Sequence, residues 1–139
     1  MKKEKPVCVI TYGSFDLLHR GHIRLLQRLR KIADHLVVCV STDEFHIEVK
    51  KKEGLVNDEL MRANCVQELE LADEVFFERS WAQRYSDIVA LQNKGYEVVF
   101  AVGTDWVGKF DDLEEVGATV IYVPRTKDIS STMLREKLK

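Results

Sequence analysis

The stretch Tyr12-Gly13-Ser14-Phe15-Asp16-Leu17-Leu18-His19-Arg20-Gly21-His22 decides how this 139-residue chain folds. It follows an apolar run, residues 7–10, that is typical of a buried strand, and it precedes apolar residues that recur with helical spacing. His19 and His22 therefore fall where a strand turns into a helix. Because the free N–H groups and the positive dipole end of a helix start attract anions, we expect the two imidazoles to take part in a phosphate site for a nucleotide.

Apolar strand runs alternate with amphipathic helical stretches along the rest of the chain. Strands are predicted at 7–11, 36–41, 74–77, 97–102 and 119–123. Helices are predicted at 21–33, 57–69, 81–93 and 130–138, with Asn57 or Asp58 as the cap of the second and Ser130 as the cap of the last. Continuous apolar strands separated by helices indicate a parallel sheet that is covered on both faces. We predict one Rossmann-like α/β domain over residues 1–139, with a five-stranded parallel sheet and helices on both faces.

Ligands of such sheets bind beyond the carboxyl ends of the strands, where the strand order switches. The segments that follow the predicted strand ends are 11–22, 41–56, 78–81, 103–110 and 124–132. The second of these contains the lysine run Lys50, Lys51 and Lys52. These lysines either form a solvated face, or one of them is mobile and closes over a bound triphosphate.

The segment after the last strand repeats the same pattern of a helix start with phosphate-binding groups. Its candidate phosphate ligands are Arg125, Thr126, Ser130, Ser131 and Thr132. An arginine can clamp phosphate through two hydrogen bonds, although the serines can also be a simple helix cap. Asp105 and Trp106 follow another strand end, where an Asp can accept a hydrogen bond from the exocyclic amine of cytosine and a Trp can cover a base or merely pack.

Composition and charge exclude several classes of protein. A net charge of −2, with 45% hydrophobic and 32% charged residues, is typical of a soluble globular protein and argues against a nucleic-acid partner. The chain shows no apolar run as long as a membrane span and no secretory leader, so we expect a cytoplasmic protein without a membrane partner. Cys8, Cys39 and Cys65 match neither a zinc site nor a disulfide framework, and are interpreted as small core residues.

The pattern G-S-F-D-L-L-H-x-G-H resembles the nucleotidyltransferases that join a nucleoside triphosphate to a phosphorylated small molecule and release pyrophosphate. Together with segments 41–45, 72–75, 105–110 and 125–132, it makes nearly the whole chain similar to the glycerol-3-phosphate cytidylyltransferase family. The resemblance implies a cytidylyltransferase that uses CTP and Mg²⁺, a homodimer, and a CDP-glycerol product that feeds the synthesis of cell-surface polymers.

The resemblance also implies roles for individual residues. His19 and His22 would stabilise the transferring phosphate, and Arg125 would add charge. The implied nucleotide-binding residues are Gly13, Ser14, Phe15, Asp16, Lys50, Lys51, Arg62, Asp105, Trp106, Thr126, Ser130, Ser131 and Thr132. No protein ligand to a metal is implied, so Mg²⁺ would arrive with the CTP.

The chain departs from the family pattern at several positions, and two of these departures remove a cation. Glu70 stands where the family has an arginine, and Val49 falls on a family lysine in the ungapped register. Losing two cations predicts that glycerol 3-phosphate is a poor or secondary acceptor, unless Lys50–Lys52 or Arg62 compensates, and that another polyol, sugar or acid phosphate is preferred. Alternatively, Glu70 is only a solvated residue near a helix end.

Three other functions stay open at this point. The first is an adenylyltransferase of the same superfamily, which would use ATP. Residues 17–18 and 105–106 argue against it, because they favour CTP. The second is a nucleotide-binding protein without turnover, which Glu70 and Val49 favour. The third is a fragment of an aminoacyl-tRNA synthetase, against which the short chain, its negative charge and the intact segment 125–132 argue.

Overall fold

Five strands and three helices alternate along residues 4–52, 54–103 and 108–124, which are the residues that the computed structural model describes. The strands are β1 (Val7–Gly13), β2 (His35–Ser41), β3 (Glu74–Glu78), β4 (Glu97–Gly103) and β5 (Thr119–Val123). The helices are α1 (Arg20–Ile32), α2 (Glu59–Glu68) and α3 (Gln83–Asn93). A π-helical turn (Phe45–Val49) follows β2, and a 3₁₀ turn (Asp111–Val116) precedes β5.

The five strands form one parallel sheet in the order β3-β2-β1-β4-β5. The chain runs outward from β1 through β2 to β3, and then returns to β4 on the other side of β1. The strand order therefore switches between β1 and β4, whose carboxyl ends are Gly13 and Gly103. The predicted five-stranded parallel sheet is confirmed, and the switch in strand order falls at the stretch that contains the two histidines, the position at which such sheets commonly bind ligands.

Alternate residues of the strands face two separate apolar layers. Helices α1 and α2 cover one face of the sheet, where Leu26 and Val66 pack with Val9 of β1. Helix α3 and the 3₁₀ turn cover the other face, where Ile88 packs with Ile10 of the same strand. Both faces of the sheet are therefore covered, as the apolar strand runs predicted.

Helix boundaries agree with the predicted ones to within two residues. Asp58 is the cap of α2, because its Oδ1 accepts a hydrogen bond from the N–H of Met61 at 2.9 Å. The sequence did not predict the π-helical and 3₁₀ turns, because a single turn is too short to show a hydrophobic period. The final helix predicted at 130–138, with its Ser130 cap, lies outside the described residues.

The cysteines are free, and two of them are core residues as predicted. Cys8 and Cys39 are buried in β1 and β2, whereas Cys65 on α2 is half-buried. Burial raises the pKa of the Cys8 thiol to about 11, so this thiol stays protonated and behaves as an apolar side chain. Among the helices of the described residues, none has the length and apolar character that crossing a membrane requires.

Candidate active site

His19 and His22 lie together at the start of α1. His19 is the cap residue, and its Nδ1 accepts a hydrogen bond from the N–H of Gly21 at 3.0 Å. The Nδ1 of His22 accepts in turn from the N–H of His19 at 3.3 Å. The two rings stack with centroids 4.0 Å apart and planes 26° apart. The predicted pairing of the two imidazoles is present, at the carboxyl end of β1 beside the switch in strand order.

These hydrogen bonds assign the tautomer of both rings. A ring nitrogen that accepts from a backbone N–H carries no proton, so a neutral imidazole here bears its proton on Nε2. Each histidine thus offers an Nε2–H donor, beside a helix start whose dipole favours negative charge. This combination suits the oxygens of a nucleotide phosphate.

The turn that leads from β1 to α1 depends on the absence of a side chain at Gly13. A Cβ on Gly13 would lie 3.1 Å from Cε2 of Phe15. Phe15 is buried, has a φ of 53° and brings its ring centroid 5.5 Å from that of His22. The Phe15 ring therefore occupies the space next to Gly13 and supports one histidine, so these residues act by shaping the site.

Replacing Gly13 with alanine is expected to lower stability by about 1–3 kcal/mol, because the buried Phe15 ring must move to accept the new methyl group. The displaced ring should also shift His22 and reduce CTP turnover. Thermal unfolding measures the first effect, with Gly54→Ala as the control, since a Cβ there meets nothing within 4 Å. A Gly13→Ala protein with the thermal midpoint of the control would contradict this role for Gly13.

Asp16 holds the loop that precedes α2. Its carboxylate is 1% exposed and accepts hydrogen bonds from the N–H groups of Val56 at 2.9 Å and Asn57 at 3.0 Å. The carboxylate thus ties the turn between β1 and α1 to the segment that follows the lysine run. The resemblance implied a nucleotide contact for Asp16, whereas these bonds give it a role in holding the site together.

The position of Arg62 differs from the one expected of a nucleotide ligand. Its side chain is fully buried and lies between the carboxyl ends of β1 and β2. The guanidinium donates to the carbonyl oxygens of Ser14 at 2.8 Å and Ser41 at 2.7 Å, and to the carboxylate of Asp43 at 2.6 Å. Nε also donates to the carbonyl of Asn57. Arg62 therefore stabilises the turn between β1 and α1, because its N–H donors are engaged by groups of the protein itself.

Lys50 is the residue of the lysine run that reaches the sheet edge. Its Nζ donates to Oγ of Ser41 at 3.0 Å and lies 5.7 Å from the ring centroid of Phe45. Lys51 and Val49 are exposed, and Lys51 has a left-handed φ of 58°. Lys50, the residue after Val49, therefore brings a cation to this end of β2, whereas the placement of Lys51 gives no support to its predicted site role.

A second buried cation, which the sequence analysis did not identify, lies beside Lys50. Arg84, in the first turn of α3, donates from Nε to Oε2 of Glu78 at 2.6 Å, and both side chains are buried. Glu78 also accepts from Oγ of Ser41 at 3.3 Å. The sequence signal for this pair is weak, because Glu78 simply ends an apolar strand run and Arg84 lies in an ordinary amphipathic helix.

The guanidinium of Arg84 is surrounded by aromatic rings. Its Cζ lies 4.3–5.5 Å from the ring centroids of Tyr12, Trp81, Phe100 and Phe110. Within the part of the chain that the structure describes, its Nη1 is a buried polar atom with no hydrogen-bond partner. A buried donor without a partner is costly, so this nitrogen is well suited to an anion that binds at the same edge.

Glu70 lies at the other end of the sheet from the histidines. It follows α2 with a left-handed φ of 57° and is exposed, and residues 71–73 then lead to the amino end of β3. Helix α2, ten residues and about 15 Å long, separates it from the Asp58 end that adjoins the site. The expectation that Glu70 weakens acceptor binding is therefore unsupported within this chain, and its placement agrees with the solvated alternative.

Several predicted site residues lie outside the described part of the chain. They are Asp105, Trp106, Arg125, Thr126, Ser130, Ser131 and Thr132. The strand ends that precede them do converge, because Gly103 ends β4 and Val123 ends the neighbouring β5. Their roles remain predictions from the sequence.

Comparison with known proteins agrees with this geometry. The family model described as cytidylyltransferase-like matches residues 10–137. The glycerol-3-phosphate cytidylyltransferase of Bacillus subtilis is 42% identical over 130 residues, which cover 94% of this chain and 95% of that protein. The protein of the same name from Staphylococcus aureus is 40% identical over 131 residues, covering 94% and 93%.

A solved structure supports the fold. The lipopolysaccharide core biosynthesis protein from Thermoplasma volcanium superposes with a TM-score of 0.69 at 23% identity, covering 89% of this chain and 99% of that one. At this identity the likeness concerns the fold alone. The relatives at 40–42% identity, which match this chain over nearly its whole length, carry the assignment further: the chain belongs to the glycerol-3-phosphate cytidylyltransferase family, within the wider cytidylyltransferase-like family.

Proposed function

We propose that this enzyme transfers CMP from CTP to glycerol 3-phosphate and releases pyrophosphate. The observation that carries the proposal is the stacked pair His19 and His22, whose Nδ1 atoms are both engaged by backbone N–H groups at the start of α1. That pair lies at the switch in strand order, where a parallel sheet binds its ligands. The names of the full-length relatives add CTP and glycerol 3-phosphate as the substrates.

The reaction is an in-line displacement at the α-phosphorus of CTP. An oxygen of the acceptor phosphate forms the new bond, the bond from the α-phosphorus to the bridging oxygen breaks, and pyrophosphate leaves with that oxygen. The acceptor is a phosphate monoester and is already anionic at neutral pH, so the protein need not supply a nucleophile. The Nε2–H donors of His19 and His22 stabilise the charge that develops on the phosphates, and the site contributes positioning.

The acceptor phosphate fits the two cations at the ends of β2 and β3. Nζ of Lys50 lies at this edge, and so does Nη1 of Arg84, which has no hydrogen-bond partner among the residues that the structure describes. Arg84 is near enough to lower the pKa of Lys50, and Glu78 holds Arg84 in place through Nε. Glycerol 3-phosphate therefore has cations to bind without an arginine at position 70 or a lysine at position 49.

Magnesium is proposed to enter with the nucleotide. Among residues 4–52, 54–103 and 108–124, no group of three or more His, Cys, Asp or Glu side chains could hold a metal ion. This suits Mg²⁺, which is commonly held by substrate phosphates and water rather than by a protein cage. When bound to the triphosphate, Mg²⁺ would neutralise part of its charge.

A homodimer is also proposed, on the family resemblance. The exposed apolar side chains of Val56, Leu60 and Met61 at the start of α2 support it, since a partner subunit would cover them. Sedimentation at assay concentration tests this proposal, and a purely monomeric active enzyme would refute it.

The protonation of Lys50 predicts how activity depends on pH. Burial, together with the nearby charges of Lys52, Arg84 and Arg62, lowers the pKa of Lys50 to about 8, and Glu78 opposes part of this shift. Lys50 therefore carries its charge below pH 8 and loses it above. We expect kcat/KM for glycerol 3-phosphate to fall as the pH rises through about 8, by up to tenfold per pH unit, in initial-rate assays at saturating CTP.

The Lys50→Arg variant is the matched control for this pH effect. An arginine keeps its charge throughout the accessible pH range, so the fall near pH 8 should disappear even if the absolute rate is lower. If kcat/KM of Lys50→Arg falls near pH 8 as well, the fall belongs to another titrating group, and the proposed role of Lys50 is refuted.

Pyrophosphate release from a panel of substrates tests the proposed function. CTP, ATP, GTP and UTP are each combined with glycerol 3-phosphate, and CTP is combined with ribitol, ribose and ethanolamine phosphates. We expect kcat/KM to be highest for CTP with glycerol 3-phosphate. Equal rates with ATP would favour the adenylyltransferase alternative, and tight CTP binding without pyrophosphate release would favour a binding protein.

A further inference from the structure

The hydroxyl of Ser14 is held by a histidine outside the two that define the site. Nδ1 of His46 lies 2.5 Å from Oγ of Ser14, and the His46 side chain is 1% exposed. The carbonyl of the same serine accepts a hydrogen bond from Arg62. Ser14 is thus fixed at both its side chain and its backbone, by residues that come from two different segments of the chain.

His46 belongs to the π-helical turn that Lys50 caps at its carboxyl end. Within this turn the N–H of Lys50 donates to the carbonyl of Phe45 at 2.9 Å, five residues earlier. The turn therefore directs one side chain to Ser14 in the nucleotide-binding turn and another to Ser41 at the end of β2. Single π-helical turns recur at functional sites because they redirect side chains in this way.

We propose that His46 is a positioning residue for CTP, which acts by orienting the Ser14 hydroxyl toward the nucleotide. With the proton on Nδ1, His46 donates to Oγ of Ser14, and the hydroxyl proton is then directed to a phosphate oxygen of CTP. A donor that is oriented before binding spares the entropy of ordering it on binding. The inference rests on the proposed function, since it needs CTP in this site.

Four variants test the inference: Ser14→Ala, His46→Leu, His46→Asn and the double variant Ser14→Ala/His46→Leu. We expect Ser14→Ala and His46→Leu each to raise KM for CTP by roughly tenfold, the scale of one hydrogen bond, with a smaller change in kcat. The double variant should be no worse than either single variant. His46→Asn should return KM to near the wild-type value, because the amide Nδ2 occupies the position of the imidazole Nδ1.

A purely structural His46 would give a different pattern. The two single effects on KM would then multiply in the double variant, and His46→Asn would bind CTP no better than His46→Leu; either result would overturn the inference. Thermal unfolding shows whether His46→Leu is folded. If it is not, the comparison of Ser14→Ala with His46→Asn decides, and an unchanged KM for CTP in Ser14→Ala overturns the inference.

The wild-type protein separates this inference from the proposed function. Wild-type protein that releases no pyrophosphate from CTP and glycerol 3-phosphate would refute the proposed function and this inference with it. An active wild-type enzyme whose His46→Leu variant is folded and keeps the wild-type KM for CTP would refute the inference alone.

Discussion

Replacing His19 or His22 with alanine is expected to lower kcat by about 100-fold or more, the scale of losing one donor that is preorganised for developing charge. Both rings bear their proton on Nε2 because their Nδ1 atoms accept backbone hydrogen bonds. Each variant therefore loses one donor to the phosphates, and His19→Ala also loses the cap of α1. Initial rates of pyrophosphate release measure the effect.

Two comparisons separate catalysis from folding in these variants. His35, whose Nε2 lies 2.8 Å from Glu74 at the amino ends of the strands, is the matched control, and His35→Gln should keep kcat near the wild-type value. His22→Gln should retain part of the activity, because its amide can place a donor near the position of Nε2. Near-normal kcat in both alanine variants would show that the proposed site is wrong.

Replacing Arg62 with methionine is expected to lower the free energy of unfolding by about 2–5 kcal/mol, because a buried acceptor that loses its donor costs about 1–3 kcal/mol and the buried Arg62 guanidinium donates to two backbone carbonyls. The carbonyls of Ser14 and Ser41 and the carboxylate of Asp43 would all lose their donor. The thermal midpoint should fall by on the order of 10 °C. Differential scanning calorimetry measures it, at matched protein concentration.

Arg28→Met is the control for this experiment, because Arg28 is exposed on α1. A surface substitution of this kind should change stability by no more than about 0.5 kcal/mol. If Arg62 instead contacted the nucleotide, Arg62→Met would raise KM for CTP and leave the thermal midpoint close to that of Arg28→Met. That result would contradict the stabilising role of Arg62.

The sequence predicted the part of the site that is local along the chain. His19 and His22 are three residues apart, and the change from strand to helical spacing placed both at a helix start without any tertiary information. The alternation of apolar strands and amphipathic helices likewise predicted the parallel sheet, because this pattern matches few other architectures.

The sequence could not assign roles that depend on distant contacts. Arg62 bonds to Ser14 and Ser41, which are 48 and 21 residues away, so its burial follows only from the assembled sheet. The buried pair Glu78 and Arg84 was missed because two charged residues six positions apart are ordinary in a sequence. Their significance depends on the aromatic rings that three other segments bring around Arg84.

The roles expected for positions 49 and 70 depend on the register of a loop and on the direction of a helix, which the sequence does not show. Counting without a gap assigns the family lysine to Val49, whereas the π-helical turn places Lys50 at Ser41. The distance of Glu70 from the site depends on the direction of α2. Once α2 is seen to run away from the site, Glu70 falls at the opposite edge of the sheet.

Tracing the α-phosphorus of CTP shows whether the enzyme transfers CMP to glycerol 3-phosphate. The enzyme is incubated with CTP labelled with ³²P at the α position, unlabelled glycerol 3-phosphate and Mg²⁺, and the products are separated by chromatography. We expect that the label moves into CDP-glycerol, that unlabelled pyrophosphate forms in equal amount, and that His22→Ala slows both by about 100-fold or more. Label that stays in CTP, or that appears only in CMP whether or not glycerol 3-phosphate is present, would contradict the proposed transfer.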